Sequence, residues 1–174
     1  MSLLAVTVLG HDRPGIVADT TAALAQLGGN LEDSTMTLLR GHFAMLLLVR
    51  TSAGTEDVEQ ALSGLTADGR LTVDVREVPD LEVGAAPPSG RPFVLSVHGA
   101  DRPGIVSALT GVVAGARGNV TDLTTRLSGE LYVLVAEVSV PVDADLEPLE
   151  RAVRAAADEL GVDVSWRPLE TDDL

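Results

Sequence analysis

Apolar and β-branched residues run from Leu3 to Leu9, and Ile16, Thr20, Leu24 and Leu27 then recur at helical spacing, which predicts a strand followed by a helix. Gly28-Gly29 stops that helix. Asn30 to Leu39 reads as an extended segment, Arg40-Gly41 as a hairpin turn and Phe43 to Val49 as the returning arm. Val58, Ala61, Leu62 and Leu65 form a second amphipathic helix behind Thr55, an expected N-cap, and Leu71 to Val78 alternates as a last strand. The order is βαββαβ. Because FAMLLLV, residues 43–49, is apolar at both parities, it is expected to be a central strand buried on both faces, with another half or another chain covering the sheet face that carries no helices.

The second half repeats the order through Phe93 to His98, Ile105 to Ala116, Val120 to Leu127, Leu131 to Val140, Leu146 to Leu160 and Val162 to Trp166. GHDRPGIV at residues 10–17 returns as GADRPGIV at 99–106, and the same offset of 89 superposes Gly29-Asn30 on Gly118-Asn119, Asp33 on Asp122 and Phe43 on Tyr132. Between the halves, PDLEVGAAPPSGRP is a linker by composition. The expected organisation is α+β: two ferredoxin-like βαββαβ sandwiches at 1–78 and 92–170, joined by a linker at 79–91.

Composition narrows the chemistry. There is no cysteine, which excludes thiolate catalysis, disulfides and thiolate metal sites. All twelve basic residues are arginine, which removes Schiff-base chemistry and the lysine of a P-loop. The net charge is −14, with five Arg against ten acids in residues 1–78 and seven against sixteen beyond, so direct binding to nucleic acid is not expected. No apolar run is long enough for a membrane span and the start lacks the pattern of a signal peptide, so a soluble cytoplasmic protein without membrane contact is expected. His11 has no counterpart in the second half, since His98 aligns with Leu9, and nothing shows metal-ligand spacing. Ser34, Ser96 and Ser107 have no attendant His and Asp in a recognisable motif. The expectation is therefore no metal, no cofactor and no catalytic residue.

The repeated motif falls where the first strand of each half turns into its first helix. Two readings fit its residue types. In the structural one, Gly10 permits a tight turn, Asp12 caps the helix, Pro14 suits its first turn and Gly15 allows close backbone approach. In the functional one, free N–H groups at a helix start receive a carboxylate while an aspartate beside them receives an ammonium, the two ends of an amino acid.

DRPGIV after a hydrophobic strand and a glycine, followed by GGNLEDSTM, resembles the ACT domain, an amino-acid-sensing module, and both halves carry the first of these signatures. Two such domains in tandem resemble the glycine cleavage system transcriptional repressor family. The resemblance implies a regulatory protein that binds a small amino acid such as glycine or serine, forms a homo-oligomer, and acts through a DNA-binding regulator or a metabolic enzyme. An interaction module that needs no ligand is the alternative. By the same resemblance the cleft is lined by Gly10, His11, Asp12, Arg13, Pro14, Gly15, Asn30 and Leu31, and in the second half by Gly99, Ala100, Asp101, Arg102, Pro103, Gly104, Asn119 and Val120. Asn30 offers both donor and acceptor to a zwitterion, or bonds its own backbone in a turn. Arg13 and Arg102 either clamp a carboxylate or point outward. The first half is the expected working site: Gly28 lets the backbone come close to a ligand, where Arg117 stands in the second half, and His11 adds a polar contact absent at Ala100.

Overall fold

The computed structural model describes residues 1–80 and 90–169. The chain divides into two compact units, Met1–Glu82 and Val83–Leu174. Unit 1 runs β1 (Ser2–His11), α1 (Ile16–Gln26), β2 (Asn30–Leu39), β3 (His42–Thr51), α2 (Thr55–Thr66) and β4 (Leu71–Val78). Its sheet is antiparallel in the order β2-β3-β1-β4, which makes the first and third strands central.

Alternation along the strands decides what the sheet buries. Leu4, Val6 and Val8 of β1 and Phe43, Met45, Leu47 and Val49 of β3 point to one face, where Ile16 and Leu24 of α1 and Val58, Leu62 and Leu65 of α2 close the core. Each such side chain removed from water stabilises the unit by about 1.5–3 kcal/mol. Thr20 is the polar member of that helix face, and its buried hydroxyl donates to the Ile16 carbonyl at 2.7 Å. The other face is not covered by helices. Leu9 and Leu46 there are 51% and 43% exposed, so the doubly apolar strand 43–49 is fully buried at one parity only. Leu39 and His42 are joined by Arg40 and Gly41, both at positive φ (50° and 85°), as a two-residue primed hairpin turn requires. At α2 the N-cap is Gly54 rather than Thr55: the Asp57 carboxylate reaches back to accept the Gly54 N–H at 3.1 Å, which leaves Thr55 as the first helical residue.

Unit 2 runs β5 (Gly90–Ala100), α3 (Ile105–Gly115), β6 (Asn119–Ser128), β7 (Leu131–Pro141), α4 (Leu146–Leu160) and β8 (Val162–Pro168), with sheet order β6-β7-β5-β8. Gly90 and Arg91, assigned to the linker by composition, belong to β5, where they pair with Pro141 and Val140. Residues 81–89 of that linker lie outside the described residues. The offset of 89 holds through β7, but Gly10 pairs with Leu71 while Gly99 pairs with Val162, so the last strand is displaced by two further residues. The extra length sits around α4, whose 15 residues are capped by the Asp145 side chain accepting from the Glu147 N–H at 3.2 Å. Trp166 stacks on Phe93 at 4.9 Å between ring centres and seals one end of the core formed by Leu95, Val97, Leu109, Leu134, Val153 and Ala157. Among the described residues no helix is long and apolar enough to cross a membrane.

Candidate functional site

Gly10 ends the straight part of β1 because the chain there runs against the backbone before β4. A Cβ at Gly10 would stand 2.0 Å from the Arg70 carbonyl oxygen. The next two N–H groups tie the turn to its neighbours: His11 donates to the Arg70 carbonyl and Asp12 to the Gly41 carbonyl, each at 3.0 Å. Three loops thus converge at this end of the sheet.

The helix start differs from the capped form expected for it. Gly15, in the left-handed region at φ 93°, is the N-cap of α1, and no side chain caps it. Asp12 is three residues too early to cap, and Pro14 precedes the cap instead of occupying the first turn. The reason is that Gly15 alone can take the reversed φ that swings the chain from the loop into the helix. Gly104, at φ 96°, repeats this at α3, again without a side-chain cap. The first-turn N–H groups of both helices therefore remain open to an acceptor from outside.

The two turns are not equivalent in charge. In unit 1 the Arg13 guanidinium folds over the helix start onto Asp19 at 3.3 Å and the Pro14 carbonyl at 3.4 Å. In unit 2 the residue in the place of Asp19 is Ala108. Arg102 has no ion pair among the described residues and lies beside Gly161, with guanidinium atoms 3.5–3.7 Å from the position a Cβ would take there.

Asn30 and Leu31 are not near the turn of their own unit. Asn30 pairs with Arg50, at the end of β3 opposite Phe43, the partner of Gly10. Seven residues of strand separate these positions, about 23 Å at ~3.3 Å per residue. Asn119 and Val120 pair with Ser139 and Val138, equally far from Gly99 opposite Tyr132. One small amino acid cannot touch both sets within a unit. Of the residues that favoured the first half, Gly28 also lies at the far end with its counterpart Arg117, while His11 stays at the turn. Gly28 closes α1 in a Schellman motif, with Gly28 N–H to Ala25 at 3.0 Å and Gly29 N–H to Leu24 at 2.9 Å, and Arg117 takes the same left-handed place after α3. Neither residue reaches the DRPG turn of its own unit.

Other polar groupings could not be seen in the linear sequence. At the Asn30 end, Arg50 bridges Glu32 and Asp80, and its guanidinium holds the Asp80 carboxyl below its ordinary range. In unit 2 Arg117 pairs with Asp143 at 2.8 Å and lowers that carboxyl likewise. This pair spans the rim of a cleft of about 430 Å³ between the end of α3 and the start of α4, floored by Val112 and Leu149. His11 and His42 face each other across β1 and β3, with ring centres 5.4 Å apart. Sequence separation hid all three, since each depends on strand register or loop closure. Ser107 spends its hydroxyl on the Gly104 carbonyl at 3.0 Å, which reads as local structure.

A family model for the ACT domain matches residues 2–76 and again 91–167, covering both βαββαβ units. The chain belongs to the ACT domain family. The glycine cleavage system transcriptional repressor of Escherichia coli is 27% identical to it over 165 residues, which span 90% of this chain and 85% of that protein. A UPF0237 protein of Methanopyrus kandleri is 43% identical over 76 residues, 43% of this chain and 84% of its own length, so it corresponds to a single ACT unit. A crystal structure of an unknown protein from Galdieria sulphuraria superposes with a TM-score of 0.80 at 30% identity, over 97% of this chain and 99% of that one. Regulation through ACT domains is thus the class to which this tandem belongs.

Proposed function

We propose that this tandem ACT protein senses a small amino acid, glycine or serine in type, at the turn between first strand and first helix, and passes its occupancy to a partner protein. The partner is a DNA-binding regulator or an enzyme of amino-acid and one-carbon metabolism, and the working place is the cytoplasm. The observation that carries the reading is the Escherichia coli relative, a glycine cleavage system transcriptional repressor alignable over 90% of this chain. The geometry supports the ligand class, because uncapped N–H groups at the start of α1 and α3 offer a place for a carboxylate, with Asp12 and Asp101 beside them for an ammonium.

Of the two turns, unit 2's is the better acceptor of a carboxylate, against the sequence-based preference for the first half. Asp19 places a negative charge at the start of α1 and engages Arg13, whereas the start of α3 has Ala108 in that position and Arg102 has no ion pair among the described residues. Regulation rather than catalysis is the role, and the ligand rather than a cofactor is its input. Calorimetric titration of the whole chain with the twenty amino acids tests the reading. Saturable binding of glycine or serine is expected, and no binding by any of the twenty would overturn it in favour of a ligand-independent interaction module.

A further inference from the structure

We propose that His11 and His42 form a divalent transition-metal site on unit 1, with two imidazole ligands from the protein and open positions for an outside ligand. The two residues are direct cross-strand partners at the end of β1 and the beginning of β3. By strand alternation both lie on the sheet face away from the helices, and both are exposed. Their ring centres are 5.4 Å apart and the planes tilt by 36°. Two imidazoles that bind one tetrahedral cation through nitrogens at about 2.0–2.1 Å have ring centres roughly 5 Å apart, so the observed separation is already close to a chelating one.

The backbone under this pair is pinned on both sides. His11 donates its N–H to the Arg70 carbonyl at 3.0 Å, Asp12 donates to the Gly41 carbonyl at 3.0 Å, and His42 follows directly on the two-residue turn Arg40-Gly41. Binding therefore needs only side-chain rotation, which keeps its entropic cost small. No third His, Cys, Asp or Glu joins the pair among the described residues. The protein thus supplies two nitrogens of four or more positions. Imidazole ligands suit Zn²⁺, Cu²⁺ and Ni²⁺, whereas Mg²⁺ and Ca²⁺ prefer the carboxylate oxygens abundant elsewhere on this acidic chain. The site belongs to unit 1 alone, since Ala100 faces Leu131 at the matching position of unit 2. The third histidine, His98, is engaged with Asp163 at 3.5 Å on the other unit. This inference stands apart from amino-acid sensing and survives if no amino acid binds.

The test is equilibrium dialysis or calorimetry of Zn²⁺ against the whole chain, with excess Mg²⁺ present to occupy surface carboxylates. One saturable equivalent is expected, weakened about tenfold or more in His11→Ala and in His42→Ala, since losing a direct ligand costs no less than losing a residue that only supports one. His98→Ala should bind as the unaltered protein does. His42→Gln, which keeps bulk at the hairpin, is the second variant, and far-UV circular dichroism checks that each chain is folded. Equal Zn²⁺ affinity in all four variants, or no saturable binding in the unaltered chain, overturns the site.

Discussion

Arg13 and Arg102 occupy the same place in two copies of one motif, yet their surroundings assign them different work. Arg13 has Asp19 as a partner at 3.3 Å and Arg102 has none among the described residues. On the proposed sensing role, replacing Arg102 by Gln is expected to weaken amino-acid binding by roughly 10- to 100-fold, the value of a hydrogen bond to a charged group, whereas Arg13→Gln changes binding little. Calorimetric titration of both variants reads the difference, and the reverse order would return the working site to unit 1. Gly10 carries a different constraint. A methyl there meets a backbone oxygen at 2.0 Å, so Gly10→Ala should cost about 3 kcal/mol, measurable by chemical denaturation, as overpacking and backbone strain combine. Residue types did reveal that the motif marks a strand-to-helix turn. They misplaced its cap, because Asp12 is a good capping residue by type while the cap is set by which residue can take φ 93°, and that residue is Gly15.

Elements were legible wherever periodicity carried the information. The helices and the core strands follow the hydrophobic pattern, β2 and β6 follow from the hairpins they begin, and β3 reads as central because FAMLLLV has no polar parity. What the pattern could not convey is where distant ends meet. Asn30 and the DRPG turn belong to one family signature, but α1 carries the chain back along the sheet, so β2 starts at the end opposite to the turn, as the pairing of Asn30 with Arg50 records. The glycines of the helices separate two physical roles. Gly28, left-handed after α1 at φ 67° with no atom within 4 Å of the place a Cβ would take, should lose about 1 kcal/mol on change to Ala, purely from the backbone angle. Gly111, inside α3 with equally open space and ordinary helical backbone, should gain about 0.5–1 kcal/mol on the same change, because Ala loses less entropy on entering a helix. Thermal unfolding of the two variants should shift in opposite directions.

For the molecule as a whole, charge decides two outcomes. With a net charge of −14, the isolated protein should not retard duplex DNA at physiological salt in a gel-shift experiment, so the transcriptional role proposed above requires a DNA-binding partner. Asp80 and Asp143 are both held below the ordinary carboxylate range by Arg50 and Arg117. A carboxyl lowered in the folded state adds stability that is fully present above its unfolded value of about 4 and is lost as pH falls through the lowered one. Asp80→Asn and Asp143→Asn should therefore flatten the acid side of the stability–pH curve and leave the difference between pH 6 and 8 unchanged, as thermal melts across pH would record. The tandem organisation was legible from the repeated motif alone, whereas the displacement of the last strand by two residues was not, because it enters after the recognisable positions end. The stack of Trp166 on Phe93 has an optical consequence. Trp166 and Tyr132 are the chain's one tryptophan and one tyrosine, and both belong to unit 2. Ultraviolet-excited emission above 300 nm therefore reports on that unit and is silent about the other, while far-ultraviolet dichroism sums both. A denaturation curve followed by the two signals together can resolve the melting of each repeat without labels, dissection or mutation.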